Sequence, residues 1–262
     1  MLRWFAALLL FLVPARADSV AALDAGRCAA MTEHGVLHPG APVGCGRLAL
    51  VRFSYVDFAG RDHDDGEIVV LDAVAPYVAR IFAALHDNRF AIAKAQPMER
   101  YNGDDAAAMA DDNTSGFNHR VVAGSSHLSL HAYGAAIDLN PGENPYLTRT
   151  GAAVTVAPPQ GGDYLNRRED RPGKARRAGL DEEAVAIFAD NGFLEWGGDW
   201  DNPIDYQHFD IGRSLAEKLA ALPPLQAQDA FTATVDAYRR CVTENSDKSA
   251  AQRQLCVSRT RN

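Results

Sequence analysis

Two extended runs and the helix pattern that follows them set the tightest limit on the architecture of this 262-residue chain. Residues 47–58, RLALVRFSYVDF, are rich in β-branched and aromatic side chains. Gly60 to Gly66 then enclose five charged or histidine residues before EIVVL resumes the extended pattern, which predicts a β-hairpin. From Asp72 the period changes. Val74, Val78, Ile81, Phe82 and Leu85 recur at steps of three and four, with Asp72 as cap and Pro76 in the tolerated first turn, so a helix of about three turns is expected.

RFAIAKAQPM reads as a strand stopped by Pro97, residues 102–113 as an acidic, alanine-rich connection, and TSGFNHRVV and SLHAYGAAIDLNP as extended. Residues 141–179, with many Pro, Gly and charged residues, read as a long surface excursion. Asp181 to Asp190 predicts a short helix capped by Asp181, with Val185 and Phe188 inward and Gly192 as its stop. Phe231, Val235 and Tyr238, after Pro223-Pro224, predict a C-terminal helix. Strands and helices without regular βαβ alternation indicate an α+β fold with a mainly antiparallel sheet flanked by helices.

The first seventeen residues, MLRWFAALLLFLVPARA, have a basic start, an apolar stretch too short to span a bilayer, and Ala15-Arg16-Ala17 in the small-x-small pattern of a signal peptidase site. They read as a cleaved signal peptide, with Asp18 the mature N-terminus, a secreted or periplasmic product and no stable membrane insertion. In that setting four cysteines favour two disulfides. Of the three pairings, proximity in sequence favours Cys28 with Cys45 and Cys241 with Cys256. A thiolate zinc site is the poorer reading, since no CxxC spacing is present. The net charge of −8 and the absence of a concentrated Lys/Arg patch argue against nucleic acid as a partner. The expected division is an N-terminal disulfide segment at 18–44, a main domain at 45–220 and a C-terminal helical extension at 221–262.

SLHAYGAAIDLNP carries the chemistry. Taken as a strand, it places Ala135, Ile137 and Leu139 on one face and Asp138 on the other, while Gly134 lets the backbone turn His131 towards the same side. A histidine and an aspartate are two ligands of a metal site, and a catalytic zinc usually takes a third protein ligand. Among the eight histidines His119, His127 and His208 remain as candidates, and His208, in DYQHFD beside Asp205, is the best of them. The serines and glycine around His127 oppose the helix that would pair it with His131.

The pattern S-x-H-x-x-G-x-A-x-D, filled by Ser129, His131, Gly134, Ala136 and Asp138, is followed about seventy residues later by D-x-x-H-F at Asp205, His208 and Phe209. Together these motifs resemble the zinc-dependent D-Ala-D-Ala peptidases of the VanX/VanY and phage endolysin group. The resemblance spans about residues 45–215. It implies a Hedgehog-like fold, one zinc ion on His131, Asp138 and His208, and Asp205 as general base. It further implies Arg120 as a substrate-binding residue, although its spacing from Ser115-Gly116 departs from the SGYR form of the endolysins. Such a zinc makes hydroxide available at neutral pH, and a nearby carboxylate moves the proton to the leaving amine. The implied substrate is the peptidoglycan stem peptide, cut as by a D-alanyl-D-alanine carboxypeptidase or an L-alanyl-D-glutamate endopeptidase. Ser129 is expected to position the ligand loop by a hydrogen bond, and Trp196 and Trp200, flanking GGD, to wall the pocket. The alternative is a non-catalytic, zinc-containing wall-binding module of the same fold.

Overall fold

The computed structural model describes residues 18–122, 124–245 and 249–261; the segment read above as a signal peptide lies outside them. In chain order the elements are β1 (Ser19–Ala22), α1 (Ala25–Glu33), β2 (Leu48–Val56), β3 (Asp62–Leu71), α2 (Ala75–Asp87) and β4 (Lys94–Ala95). Next come α3 (Asp105–Ala110), β5 (Asn113–Thr114), β6 (Ala136–Asp138), β7 (Tyr146–Thr150), β8 (Ala153–Ala157) and α4 (Val185–Asp190). The chain continues through β9 (Glu195–Trp196), β10 (Ile204–Asp205), β11 (His208–Asp210), α5 (Arg213–Ala221), α6 (Pro224–Glu244) and α7 (Ala250–Arg261). Three three-stranded antiparallel sheets form, in the orders β1-β2-β3, β10-β7-β8 and β6-β11-β9, with a parallel pair β4-β5. This is an α+β arrangement. Among the described residues no helix is long and apolar enough to cross a membrane.

The β2-β3 hairpin forms as its pattern requires, and α2 lies on it by burying Tyr77, Val78, Ile81, Phe82 and Leu85. Phe82 stacks on Phe53 of β2 with ring centroids 3.7 Å apart. Each such side chain contributes roughly 1.5–3 kcal/mol by leaving water. Asp72 is not the cap of α2, whose N-terminal flank is Val74. The Asp72 carboxylate instead takes a bidentate pair from Arg47, at 2.8 and 3.0 Å. Arg47 also donates to the carbonyls of Leu219, Ala220 and Leu222, satisfying the open end of α5, and that network outweighs a local cap.

Helix α6 joins the same core through Phe231 and Val235, with Phe231 edge-on to Tyr77 at 5.0 Å. A smaller cluster, including Leu194, Tyr238 and Val257, lies beneath α7. Both expected disulfides form, Cys28–Cys45 and Cys241–Cys256.

Several local expectations are corrected. RFAIAKAQPM yields only the two-residue β4, paired with Asn113 and Thr114, and a single bridge from Ala91 to Val56. The 102–113 connection contains α3, started by Asp104, whose carboxylate accepts the Ala107 N–H at 3.0 Å. The 141–179 excursion holds the β7-β8 hairpin, and residues 141–145 at its root are buried. Asp181 caps nothing: it is fully buried and accepts from the Asn144 side chain at 3.0 Å, so the segment begins as a 3-10 turn, and α4 starts at Val185.

Candidate metal centre and active site

SLHAYGAAIDLNP is not one strand. Leu130–Tyr133 is a 3-10 turn whose cap is Ser129, the Oγ of which accepts the His131 N–H at 3.2 Å. Gly134 follows with φ +63, and any Cβ there would lie 2.5 Å from the Leu71 nitrogen, so the close approach of this turn to β3 admits glycine alone. Only then does β6 begin. The turn aims the His131 imidazole at the face from which Asp138 projects.

That face is fixed by register. In the β6-β11 ladder Asp138 stands opposite His208, Ile137 opposite Phe209 and Ala136 opposite Asp210. Residues on alternate positions share a face, so Asp138, His208 and Asp210 point to one side while Ile137 and Phe209 enter the core. His131 Nε2 lies 3.1 Å from Asp138 Oδ2, His208 Nδ1 lies 2.9 Å from Asp138 Oδ1, and the two imidazole nitrogens are 3.3 Å apart. All three side chains are buried, His131 with 2% of its surface exposed.

The outer nitrogens are held as well. His131 Nδ1 donates to the carbonyl of Gly116 at 2.7 Å, an acceptor only, which turns the lone pair of Nε2 inward. His208 Nε2 donates to Asp210 Oδ2 at 3.1 Å, and the other oxygen of Asp210 accepts the Gly212 N–H at 2.6 Å. Asp210 was not singled out from the sequence, although the period-two alternation of HFD puts it on the face of His208. Burial acts to raise the Asp138 carboxyl, but His131 and His208 hold it well below the usual carboxylate range. Against the lowering effect of burial, hydrogen bonds to Asp138 and Asp210 lift His208 well above the usual imidazole range.

Asp205 reaches the same cavity by another route. The break between β10 and β11 falls at Tyr206-Gln207, because β10 pairs with β7 while β11 pairs with β6. A two-residue turn between sheets, rather than a bent strand, brings the carboxylate round. Gly197 of GGDW permits this, since a Cβ there would meet the Asp205 carbonyl oxygen at 2.3 Å. Gln207 Nε2 donates to Asp205 Oδ1 at 3.1 Å. Burial, with the nearby charge of Asp138, pushes the Asp205 carboxyl up to about 6.

These groups line a cavity of about 460 Å³. Met109, Val122, Tyr146, Ala157, Trp200 and Pro203 give it largely apolar walls, the Trp200 ring centred 5.5 Å from that of His208. Trp196 does not line it: its ring packs on Phe209 and its Nε1 donates to the Tyr206 carbonyl at 2.8 Å. Arg120 does line it, paired with Asp105 of α3 at 2.9 Å. Asp105 was passed over in the sequence as part of a connection. His127 is exposed, and His119 sits beside His38.

A family model described as D-alanyl-D-alanine carboxypeptidase matches residues 123–211. No curated protein and no solved structure matches the chain significantly. The matched segment covers roughly a third of the chain and contains Ser129, His131, Asp138, Asp205, His208 and Asp210, while Asp105 and Arg120 lie outside it. It supports the resemblance to the VanX/VanY-type peptidases.

His131, Asp138 and His208 form a group able to hold a metal ion, with ligating atoms all within 4.8 Å of one another. Bonds of ~2.0–2.1 Å at tetrahedral angles would set such atoms roughly 3.3 Å apart, close to the separations found here. Two imidazoles and one carboxylate, each imidazole oriented through its other nitrogen, suit zinc.

Proposed function

We propose that this chain is an exported zinc metallopeptidase of the D-alanyl-D-alanine peptidase type with a Hedgehog-like core at residues 45–220. It hydrolyses a peptide bond in the stem peptide of peptidoglycan, as a D-alanyl-D-alanine carboxypeptidase or an L-alanyl-D-glutamate endopeptidase. The observation that carries the reading is the convergence, inside the matched segment, of His131, Asp138 and His208 with a separate carboxylate, Asp205, in one cavity.

His131 Nε2, His208 Nδ1 and Asp138 would hold the ion. When bound there, zinc would supply Lewis acidity and make hydroxide available near neutral pH. The remaining work falls to the protein. Asp205, pushed up to about 6, is poised to accept the proton of the attacking water and return it to the leaving amine. Gln207 orients its carboxylate. The apolar walls exclude water and admit small aliphatic side chains such as the methyl group of alanine. Arg120 is the cationic group for a substrate carboxylate or a developing oxyanion.

The non-catalytic wall-binding alternative loses ground because the three ligands and the free carboxylate are all retained. Digestion of purified muropeptides followed by mass spectrometry tests the proposal. Loss of one alanine identifies the carboxypeptidase, release of a whole stem peptide the endopeptidase, and unchanged masses with zinc present refute both.

A further inference from the structure

Helices α5, α6 and α7 border a second cavity, of about 760 Å³ and open to solvent, whose composition differs from that of the first. Four carboxylates, of Asp105, Asp138, Asp205 and Asp210, line the first cavity, and its Arg120 is paired. Among the described residues no acid lines the second. Its charged groups are Arg213, Lys218 and Arg261, and hydroxyls come from Ser214, Thr234 and Thr260. Arg213 and Arg261 are each paired with an acid, which leaves Lys218 as the cation without an ion-pair partner among the described residues.

Arg213 lines both cavities. Its Nη2 donates to the Leu128 carbonyl at 2.7 Å, which holds the guanidinium at the junction. The acids that balance the cluster stand outside the cavity: Glu195 lies 2.6 Å from Arg261 and Glu217 lies 3.6 Å from Arg213. Helix α7, tied to α6 by Cys241–Cys256, supplies Thr260 and Arg261 and so completes the cavity.

We propose that this second cavity is an anionic subsite, entered past Arg213, that binds free carboxylates of the stem peptide beyond the bond cleaved in the first cavity. The inference rests on the peptidase reading for the identity of the ligand. A stem peptide carries several carboxylates; Arg120 can meet one of them in the first cavity, and for those beyond it the nearest cation without an acidic partner is Lys218 in the adjoining cavity.

The test is calorimetric binding of a disaccharide-pentapeptide with free side-chain carboxylates, and of its amidated counterpart, to the full mature chain and to its Lys218→Ala and Lys218→Glu variants. The expected result is that Lys218→Glu weakens the free-acid ligand by about tenfold, equivalent to ~1.4 kcal/mol, with a smaller loss in Lys218→Ala and little change for the amidated ligand. Equal losses for both ligands, no loss for either, or no binding of the free acid by the unaltered chain would overturn the proposal. Cleavage is read separately. If the unaltered chain cuts neither ligand the peptidase reading fails, and the binding comparison still decides the subsite.

Discussion

Replacing Asp210 by Asn isolates the part of the site that the matched motif does not name. Both oxygens of Asp210 are engaged, Oδ2 by His208 Nε2 at 3.1 Å and Oδ1 by the Gly212 N–H at 2.6 Å. Asparagine offers one oxygen and one amino group. If the oxygen stays on Gly212, the amino group faces His208 Nε2 and favours the tautomer with its proton on Nδ1, the atom that must bind the metal. If the side chain flips, the Gly212 N–H loses its acceptor. The bond lost is to a charged group, worth about 1.5–3 kcal/mol. That range agrees with the ~10–100-fold loss of metal affinity usual for such supporting residues, about 1.4–2.7 kcal/mol. Zinc affinity is measured by competition with a chromogenic chelator, with circular dichroism confirming that the fold is kept. An affinity within twofold of the unaltered chain would refute the argument that Asp210 fixes the ligating tautomer.

Asp205→Asn is expected to lower kcat by about 10²–10⁴ while bound zinc stays at one per chain, checked by steady-state kinetics with metal analysis; loss of zinc would place Asp205 among the ligands instead. Burial and the Asp112 carboxylate push Glu143 up to about 8. The folded chain therefore holds a proton that the unfolded chain gives up above about 4.5, so stability falls as pH rises between those values, by up to ~1.4 kcal/mol per pH unit. Urea unfolding at pH 5, 6, 7 and 8 is expected to show this decline, flattened in Glu143→Gln. Opening Cys241–Cys256, whose cysteines are 15 residues apart, by a double Ser replacement should cost about 3 kcal/mol in urea unfolding, and an unchanged midpoint would contradict the tethering of α7.

Periodicity carried the hairpin, α2 and the C-terminal helix because each buries its own stripe or face, and a buried stripe leaves a regular trace in the chain. The ends of elements were less legible. Asp72 and Asp181 look like caps in the sequence, but their partners, Arg47 and Asn144, are 25 and 37 residues away, and no local rule contains them. The β7-β8 hairpin was hidden by the Pro, Gly and charged residues on either side of it, and YLTRT carries no alternation to offset them, although VTV within AVTVA does alternate. In the site, His131, Asp138 and His208 were legible as residue types at a motif's spacing. Asp105 was not, because its place beside Arg120 comes from the packing of α3, whose six residues give no periodic signal. Asp210 was available from alternation alone.

In the proposed function, His131, Asp138 and His208 hold one zinc ion that the chain uses to cut stem peptides. Zinc can be measured by mass spectrometry of the native, purified chain and of its His208→Ala variant, alongside muropeptide digestion by the same samples. One zinc per unaltered chain with shortened stem peptides is expected, and neither in the variant. A metal-free unaltered chain that still shortens the peptides, or a zinc-loaded one that leaves every muropeptide mass unchanged, would contradict it.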